Sequence, residues 1–292
     1  MQAQKIAFAG LGKMGGGIAE RLASEGFDLM VYDVYAPAME RFQKNCRLAG
    51  SLEELAAYGE ILCVSLPSSK EVDAAVDAFL AAGAAGRYFL DLSTSYPMAT
   101  IRNAKRVKEA GGSFFEGPLT GVPAQAPEGK LGLIAAGDGD VYERLLPVLS
   151  AVASKISYAG KSGCGHLIKL SLNYLTISYI ALYAEIMPLL EQMGVDYEAF
   201  YQSVTGGAAD CGMFQRIAPK IHEDDYAVTF LMRHAIKDIG YVKQLYTEKG
   251  YPSPMLDSCV SLFHMAKCMG LEGKDVSEVA RTLKFFMNHE DG

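Results

Sequence analysis

Apolar and polar positions follow two regimes along the 292 residues. Up to about residue 160, short apolar runs of β type are separated by segments with helical spacing. Lys5 to Ala9, Phe27 to Tyr32, Ile61 to Leu66, Arg87 to Leu92 and Gly132 to Ala136 read as strands. Gly15 to Ser24, Ala36 to Asn45, Ser68 to Ala82, Ala99 to Ala110 and Asp140 to Ala151 read as helices. Repeated strand–helix units predict parallel strands with helices on both faces, in a layered α/β domain that ends near Tyr158 or Ala159.

Beyond Gly160 the spacing becomes helical. Gly163 to about Met193 predicts one long helix, followed by helices over Asp196 to Val204, Phe230 to Glu248, Pro254 to Met269 and Val276 to His289. Pro188 lies inside the long pattern and predicts a kink or an earlier helix end. The most apolar stretch, Leu167 to Leu190, is long enough to span a bilayer, but Lys169, Asn173 and Glu185 would be costly there. A buried helix at the centre of a soluble protein is the expectation, with no membrane partner. The predicted domains are residues 1–160 and 161–292, sharing the long helix, with neither an internal repeat nor a flexible tether between them.

Composition narrows the class. Half of the residues are apolar and 21% are charged, which excludes a disordered or fibrous chain. Lys and Arg number 27 against 34 Asp and Glu, a formal charge of -7 that argues against a nucleic-acid partner. The six Cys form no CxxC pair and read as reduced thiols of a cytoplasmic protein, in keeping with a start that lacks a basic, secretory-type leader. His264 and Cys268 have i,i+4 spacing, but two residues do not make a zinc site; a buried thiol beside a histidine is expected, and no metal. The HEDD run at 222–225 reads as a solvated loop.

The strongest chemical signal is AFAGLGKMGGGIAERL. Gly10, Gly12 and Gly15 form GxGxxG between a strand and a helix, where the glycines permit a tight turn, a close approach to a pyrophosphate and helix–strand packing. Backbone N–H groups of Leu11, Lys13 and Met14 at this helix start are suited to phosphate. Asp33 ends the next strand, 21 positions after Gly12, where a carboxylate can accept the ribose hydroxyls and repel a 2′-phosphate, favouring NAD over NADP. Two later strand ends, SLPSS at 65–69 and DLSTSYP at 91–97, fall at the ligand crevice of an open parallel sheet. They nominate Leu66, Pro67 and Thr94 for the cofactor and Ser93 for substrate; Pro67 and Pro97 also suit plain helix starts. The fold expected is therefore α/β, an N-terminal Rossmann-type dinucleotide-binding domain followed by an all-helical second domain.

A second cluster is AGKSGCGHLIKLSLNY at 159–174. Lys169 and Asn173 lie four apart on one helical face, polar groups inside an apolar helix that need a partner or a function. Spacing alone leaves open whether they bridge helices or form an active site.

Together, GLGKMG at 10–15, DLST at 91–94, EGPLTG at 116–121, GKSGCGHLIKLSLN at 160–173 and KD at 237–238 resemble the β-hydroxyacid dehydrogenase family over nearly the whole chain. The resemblance implies NAD(P)-linked hydride transfer at the hydroxyl-bearing carbon of a small β-hydroxy acid or its semialdehyde. It implies Lys169 as acid/base, Asn173 orienting substrate, Thr120 and Gly121, with Val122 beside them, holding its carboxylate, and Lys237 closing the cleft near cofactor or substrate. A homodimer or homotetramer is implied as well. The family loop usually reads like DAPVSGG, so Glu116 and Val122 depart from it. His166, one turn before Lys169, would shape the pocket, tune the lysine or cap the helix. Phe230 and His234 either line the cleft or pack between domains, and Met213 and Phe214 would limit the substrate tail. The alternatives are an NADPH-dependent reductase of a larger keto or imine substrate, and a non-catalytic dinucleotide sensor or scaffold.

Overall fold

The computed structural model describes residues 4–287. By internal contacts the chain forms two compact units that divide between Lys169 and Leu170, inside the long helix.

The first unit is built on a six-stranded, all-parallel sheet. Its strands are β1 (Lys5–Ala9), β2 (Asp28–Tyr32), β3 (Arg47–Leu48), β4 (Ile61–Val64), β5 (Tyr88–Asp91) and β6 (Ser113–Glu116), in the order β3-β2-β1-β4-β5-β6. Alternate residues of one strand enter opposite cores. Ile6, Phe8, Ile61 and Cys63 join one buried cluster, and Ala7, Ala9, Leu62 and Val64 join the other. That two-sided burial is why the central strands read as continuous apolar runs. Helices α1 (Lys13–Ser24), α2 (Leu52–Ala56), α3 (Ser69–Ala81), α4 (Pro97–Glu109) and α5 (Gly139–Val152) connect the strands. A second sheet pairs β7 (Leu119–Thr120) antiparallel and β9 (Ala153–Tyr158) parallel to β8 (Leu131–Ala135).

The second unit is largely helical. Helix α6 (Cys164–Gln192) runs into it and is followed by α7 (Tyr197–Val204), α8 (Gly212–His222), α9 (Met232–Lys249), α10 (Pro254–Cys268) and α11 (Ala280–Met287). Phe214, Ile217, Ile239 and Phe263 are among its buried core.

Several expectations are corrected. Ala36 to Asn45 is not an α-helix: Ala36–Phe42 forms a 3-10 helix, with Pro37 in its first turn and only Phe42 buried. Helix α8 was not expected, because Pro219 and the preceding glycines mask its pattern of Phe214, Ile217, Ala218 and Ile221. Helix α6 continues past Pro188 to Gln192. Val276–Val279 is a 3-10 turn ahead of α11, and His289 lies outside the described residues. The His222–Asp225 run is exposed, but His222 ends α8 and stacks on Tyr197 at 3.8 Å between ring centroids.

The largest correction concerns α6, which is not buried all round. Ile168, Leu172, Leu175, Tyr179, Leu182, Ile186 and Leu189, spaced alternately by four and three, are each 39–54% exposed. The opposite face, with Leu170, Ile177, Ile180 and Ala184, is buried. Both faces are apolar, so the sequence pattern could not separate the covered one from the open one. By length and composition α6 is the one helix among the described residues apolar enough to cross a membrane. Cys268 is likewise exposed, against the expected burial.

Candidate functional site

Strand order reverses between β1 and β4, which flank each other at the middle of the sheet. In open α/β sheets that reversal opens a crevice at the carboxyl ends of the strands. Gly10 follows β1 there with φ +93°, and a Cβ at this position would lie 2.2 Å from the Ser65 carbonyl oxygen. Gly15 packs α1 against the same turn, since its Cβ would stand 2.1 Å from the Gly10 oxygen and 2.9 Å from the Ser65 Cβ. Gly12, the N-cap of α1, differs from both: nothing lies within 4 Å of its would-be Cβ. The first turn of α1 holds no acidic residue. Two glycines thus close the loop on the sheet, and the third leaves open the side from which an anion reaches the N–H groups.

Asp33 finishes the cradle. Its Oδ2 accepts a 2.6 Å hydrogen bond from the Leu11 N–H and its Oδ1 a 2.8 Å bond from the Tyr35 N–H. Each carboxylate oxygen retains a second lone pair for a ribose hydroxyl. Arg41 was missed by sequence reasoning. Its guanidinium lies over Gly16, donates to the Leu11 carbonyl at 3.3 Å and pairs with Glu20 at 3.2 Å. Only its place eight residues after Asp33, within the Ala36 to Asn45 segment expected to be helical, could have pointed to it.

The other strand ends of this unit are tied together. Leu66 N–H, after β4, donates to Ser93 Oγ at 2.9 Å, so the Ser93 hydroxyl is in use inside the protein and its residue is buried. Tyr96 N–H donates to Ser69 Oγ. Thr120 in β7 projects over Gly132 of β8, where a Cβ would meet its Oγ1 at 2.3 Å. Gly121 follows with φ +111°, and Val122 N–H donates to the Gln125 side-chain oxygen. The Val122 side chain is exposed, and its backbone is extended.

The start of α6 is held by a buried ionic knot. Glu116, at the end of β6, accepts the N–H groups of Gly163 (2.6 Å) and Gly165 (3.1 Å) on Oε1 and that of His166 (3.1 Å) on Oε2. His166 Nδ1 lies 2.5 Å from Glu116 Oε2 and 2.8 Å from Thr100 Oγ1. Its Nε2 faces the Ser93 carbonyl oxygen at 3.3 Å and Asp91 Oδ2 at 3.7 Å. Asp91, Glu116 and His166 are all fully buried. Burial opposes the charged imidazole, but the adjoining Glu116 charge and hydrogen bond, with Asp91 and the Ser93 carbonyl, raise the His166 pKa overall. Lys169 is half-buried one turn further along the helix.

Within the second unit, Asn173 Nδ2 donates to Asp238 Oδ2 at 2.6 Å, and Lys237 Nζ sits 3.1 Å from Asp238 Oδ1 and 5.2 Å from the Tyr241 ring centroid. Asp238 is buried and orients both candidate groups, a role the sequence did not assign to it. Phe230 and His234 are neighbours at 6.0 Å between centroids. Burial, then the charges of Lys237 and Arg233, lower the His234 pKa. Phe214 is not a substrate gate: it is buried in the core against Tyr183, Phe200 and Tyr201.

A glycine loop between a strand and a helix, with a carboxylate at the end of the next strand bonded to it, has the form of a dinucleotide-binding α/β protein. Comparison with known proteins narrows the class. Residues 5–160 match the NAD binding domain of 6-phosphogluconate dehydrogenase, and residues 163–283 match the NAD-binding domain of NADP-dependent 3-hydroxyisobutyrate dehydrogenase. The 2-(hydroxymethyl)glutarate dehydrogenase of Eubacterium barkeri is 30% identical over 95% of this chain and 94% of its own. The 3-sulfolactaldehyde reductase of Escherichia coli (strain K12) is 28% identical over 96% and 95%. Among solved structures, a Mycobacterium tuberculosis 3-hydroxyisobutyrate dehydrogenase with L-serine shares the fold, with a TM-score of 0.89, 22% identity and coverage of 97% of this chain and 100% of that one. The chain belongs to the β-hydroxyacid dehydrogenase family. It is an oxidoreductase that uses a nicotinamide dinucleotide.

Proposed function

We propose that the protein interconverts a small β-hydroxy acid and its semialdehyde with NAD(H), and that Lys169 is the acid/base. Gly10, Leu11, Gly12, Lys13, Met14 and Gly15 would hold the pyrophosphate, Asp33 the adenosine ribose, and Leu66, Pro67 and Thr94 the nicotinamide half, with Lys237 also assigned to the cofactor. The nicotinamide supplies or accepts a hydride when bound. Lys169 donates a proton to the carbonyl oxygen in reduction and takes the hydroxyl proton in oxidation, which requires its ammonium to be poised by its surroundings. Asn173 orients the reacting oxygen, Thr120 and Gly121 bind the substrate carboxylate with Ser93 and Val122 beside them, and Lys237 adds a matching charge.

The observation that carries this reading is the Asn173–Asp238 hydrogen bond. It commits the amide nitrogen and turns Oδ1 away from Asp238, on the helix that carries Lys169. A mere packing bridge between helices would not need Lys169 four positions earlier on that helix. Relatives named for 2-(hydroxymethyl)glutarate, L-threonate and 3-sulfolactaldehyde support small acidic substrates.

One observation favours a second reading. Arg41 beside the glycine loop offers a cation for a 2′-phosphate, which suits NADPH and a larger keto or imine substrate. A panel of glyoxylate, succinic semialdehyde, 3-hydroxyisobutyrate, 2-(hydroxymethyl)glutarate and L-threonate, run with both cofactors, tests the two. NAD(H)-linked turnover of one acid is expected. Turnover with NADP(H) alone contradicts the cofactor assignment, and dinucleotide binding without any turnover returns the sensor reading.

We further infer a cytoplasmic homo-oligomer, assembled through the exposed apolar face of α6. Its alternation of four- and three-residue steps is the spacing with which one helix packs on another. Leu175→Glu with Leu182→Glu is expected to lower the mass seen by light scattering to that of a smaller assembly; an unchanged mass contradicts the interface.

A further inference from the structure

The knot at the start of α6 is more than a helix cap. Both ring nitrogens of His166 face groups that accept: the Glu116 carboxylate at Nδ1, beside the Thr100 hydroxyl, which donates its own hydrogen to the Tyr96 carbonyl, and the Ser93 carbonyl with the Asp91 carboxylate at Nε2. A backbone carbonyl only accepts, so a neutral ring would turn a lone pair on one of these partners, buried where water cannot intervene. A doubly protonated ring satisfies every contact and places one positive charge between two buried carboxylates. The carboxylates have further partners. Asp91 accepts the Ser93 N–H on Oδ1 and the Ser95 hydroxyl on Oδ2, and Glu116 takes three N–H groups at the positive end of a 29-residue helix.

This arrangement joins segments remote in sequence. Through Glu116 it grips the end of β6, three residues before the Leu119–Thr120 strand. Through Asp91 and the Ser93 carbonyl it grips the end of β5, and Ser93 Oγ in turn holds Leu66 after β4. On the other side it fixes the backbone at Gly163, Gly165 and His166, and Lys169 leaves the helix one turn later. Glycine is required at 165, because a Cβ there would lie 2.9 Å from the Ile134 carbonyl oxygen and 3.2 Å from the Glu116 side chain.

We propose that His166 is a positioning residue: as an imidazolium clamped between Glu116 and Asp91, it sets the Lys169-bearing turn of α6 against the Ser93 loop and does not itself exchange protons with substrate. This rests on the reading of Lys169 as the acid/base. The clamp works by charge and two-sided donation rather than by filling space. Glutamine at 166 fills much of the same volume but carries no charge, and glutamine at 116 keeps the shape of the carboxylate and removes its charge. The two losses are coupled, because His166→Gln removes the cation beside Glu116 and Glu116→Gln removes the nearer of the two carboxylates that hold the imidazolium.

The test measures turnover by the full-length protein of whichever acid or semialdehyde proves active in the panel above, with cofactor and substrate saturating. It adds dinucleotide affinity by fluorescence titration and amide exchange over residues 160–170. His166→Gln is expected to lower kcat at least tenfold while the dissociation constant for the dinucleotide stays within about threefold, because the glycine loop is held by β1 and β4 instead. The His166→Gln/Glu116→Gln double variant is expected to lose no more than the worse single. Thr100→Val, which removes one neighbour of Nδ1 and keeps the side-chain volume, should cost about threefold in kcat. A kcat within twofold of the parent in His166→Gln, or a double variant whose losses multiply, overturns the proposal.

Lys169→Ala in the same assay separates two failures. Parent-like turnover in His166→Gln beside an inactive Lys169→Ala removes the clamp and leaves the proton-transfer reading standing. Parent-like turnover in Lys169→Ala removes that reading and the claim that the clamp serves it. Amide exchange then decides whether the clamp holds the helix start: faster exchange in His166→Gln supports it, and unchanged exchange ends it.

Discussion

The two units solve one structural problem with opposite chemistry. Each gathers irregular segments round a buried carboxylate. In the first unit Glu116 and Asp91 share an imidazole. In the second, Asp275 accepts from the backbone of Thr229, Phe230 and Ser277 and from the hydroxyls of Thr229 and Ser277, with Lys220 at 3.3 Å. The Asp275 knot is mostly neutral donors on a carboxylate that is ionised near neutrality. The His166 knot depends on a titratable cation, and it lies one turn from the residue proposed to move protons. A fixed anion suits a scaffold; a clamp tuned by charge suits the edge of a site.

Removing the anion should have the largest effect. Asp275→Ala strips the acceptor from five donors and removes the counter-charge of Lys220, which keeps only its hydrogen bond to the Ala227 carbonyl, so a loss of about 3–5 kcal/mol is expected in urea melts. Dinucleotide affinity of the surviving folded protein should stay near that of the parent. Burial works against the Asp275 carboxylate, but its Ser277, Thr229 and Phe230 hydrogen bonds hold its pKa below the usual value. Its contribution is therefore present above the unfolded-state pKa of about 3.9 and lost as pH falls through the lower folded value. A melting difference between parent and variant that grows on acidification contradicts this.

His166→Gln should carry the reverse pH signature at a smaller size, about 2 kcal/mol below neutrality. With its folded pKa raised, the stabilisation is complete below the unfolded-state value of about 6.5 and disappears as pH rises through the folded value. Melts at several pH values check the sign. A gap between parent and variant that widens on the alkaline side would break the contrast between the knots.

Gly10→Ala sharpens the comparison from the side of function. The left-handed φ and the Ser65 oxygen at 2.2 Å force the loop off the sheet, at a strain of about 1–3 kcal/mol. Dinucleotide affinity is expected to fall about tenfold or more, with amide exchange of α8 and α9 in the second unit unchanged. Retained affinity contradicts the assigned cradle.

What the sequence disclosed follows the same division. The strand–GLGKMG–helix turn and the place of Asp33 at the end of the next strand were legible because such a turn constrains local spacing, and the buried strands β1 and β4 announce themselves as apolar runs. Strand β9, ASKISY, did not, since four of its six residues are exposed and it has only one neighbour in the sheet. The knots were invisible for another reason. Glu116 and His166 lie 50 positions apart and Asp275 and Thr229 46, and only the folded chain makes them partners. Asp238 was part of a recognised KD pair, yet its role towards Asn173 depends on how α6 and α9 pack. The open face of α6 was hidden by its own uniformity, because apolar residues occupy both sides of the helix.

Proton transfer by Lys169 is the central claim. Its most direct test is pre-steady-state and steady-state turnover of Lys169→Ala against the parent across pH, with the dissociation constant for NAD(H) measured on the same samples. The account predicts unchanged dinucleotide affinity, a kcat lowered by about 10²–10⁴-fold, and loss of the pH limb contributed by the lysine. Near-parental kcat with that limb intact would contradict it.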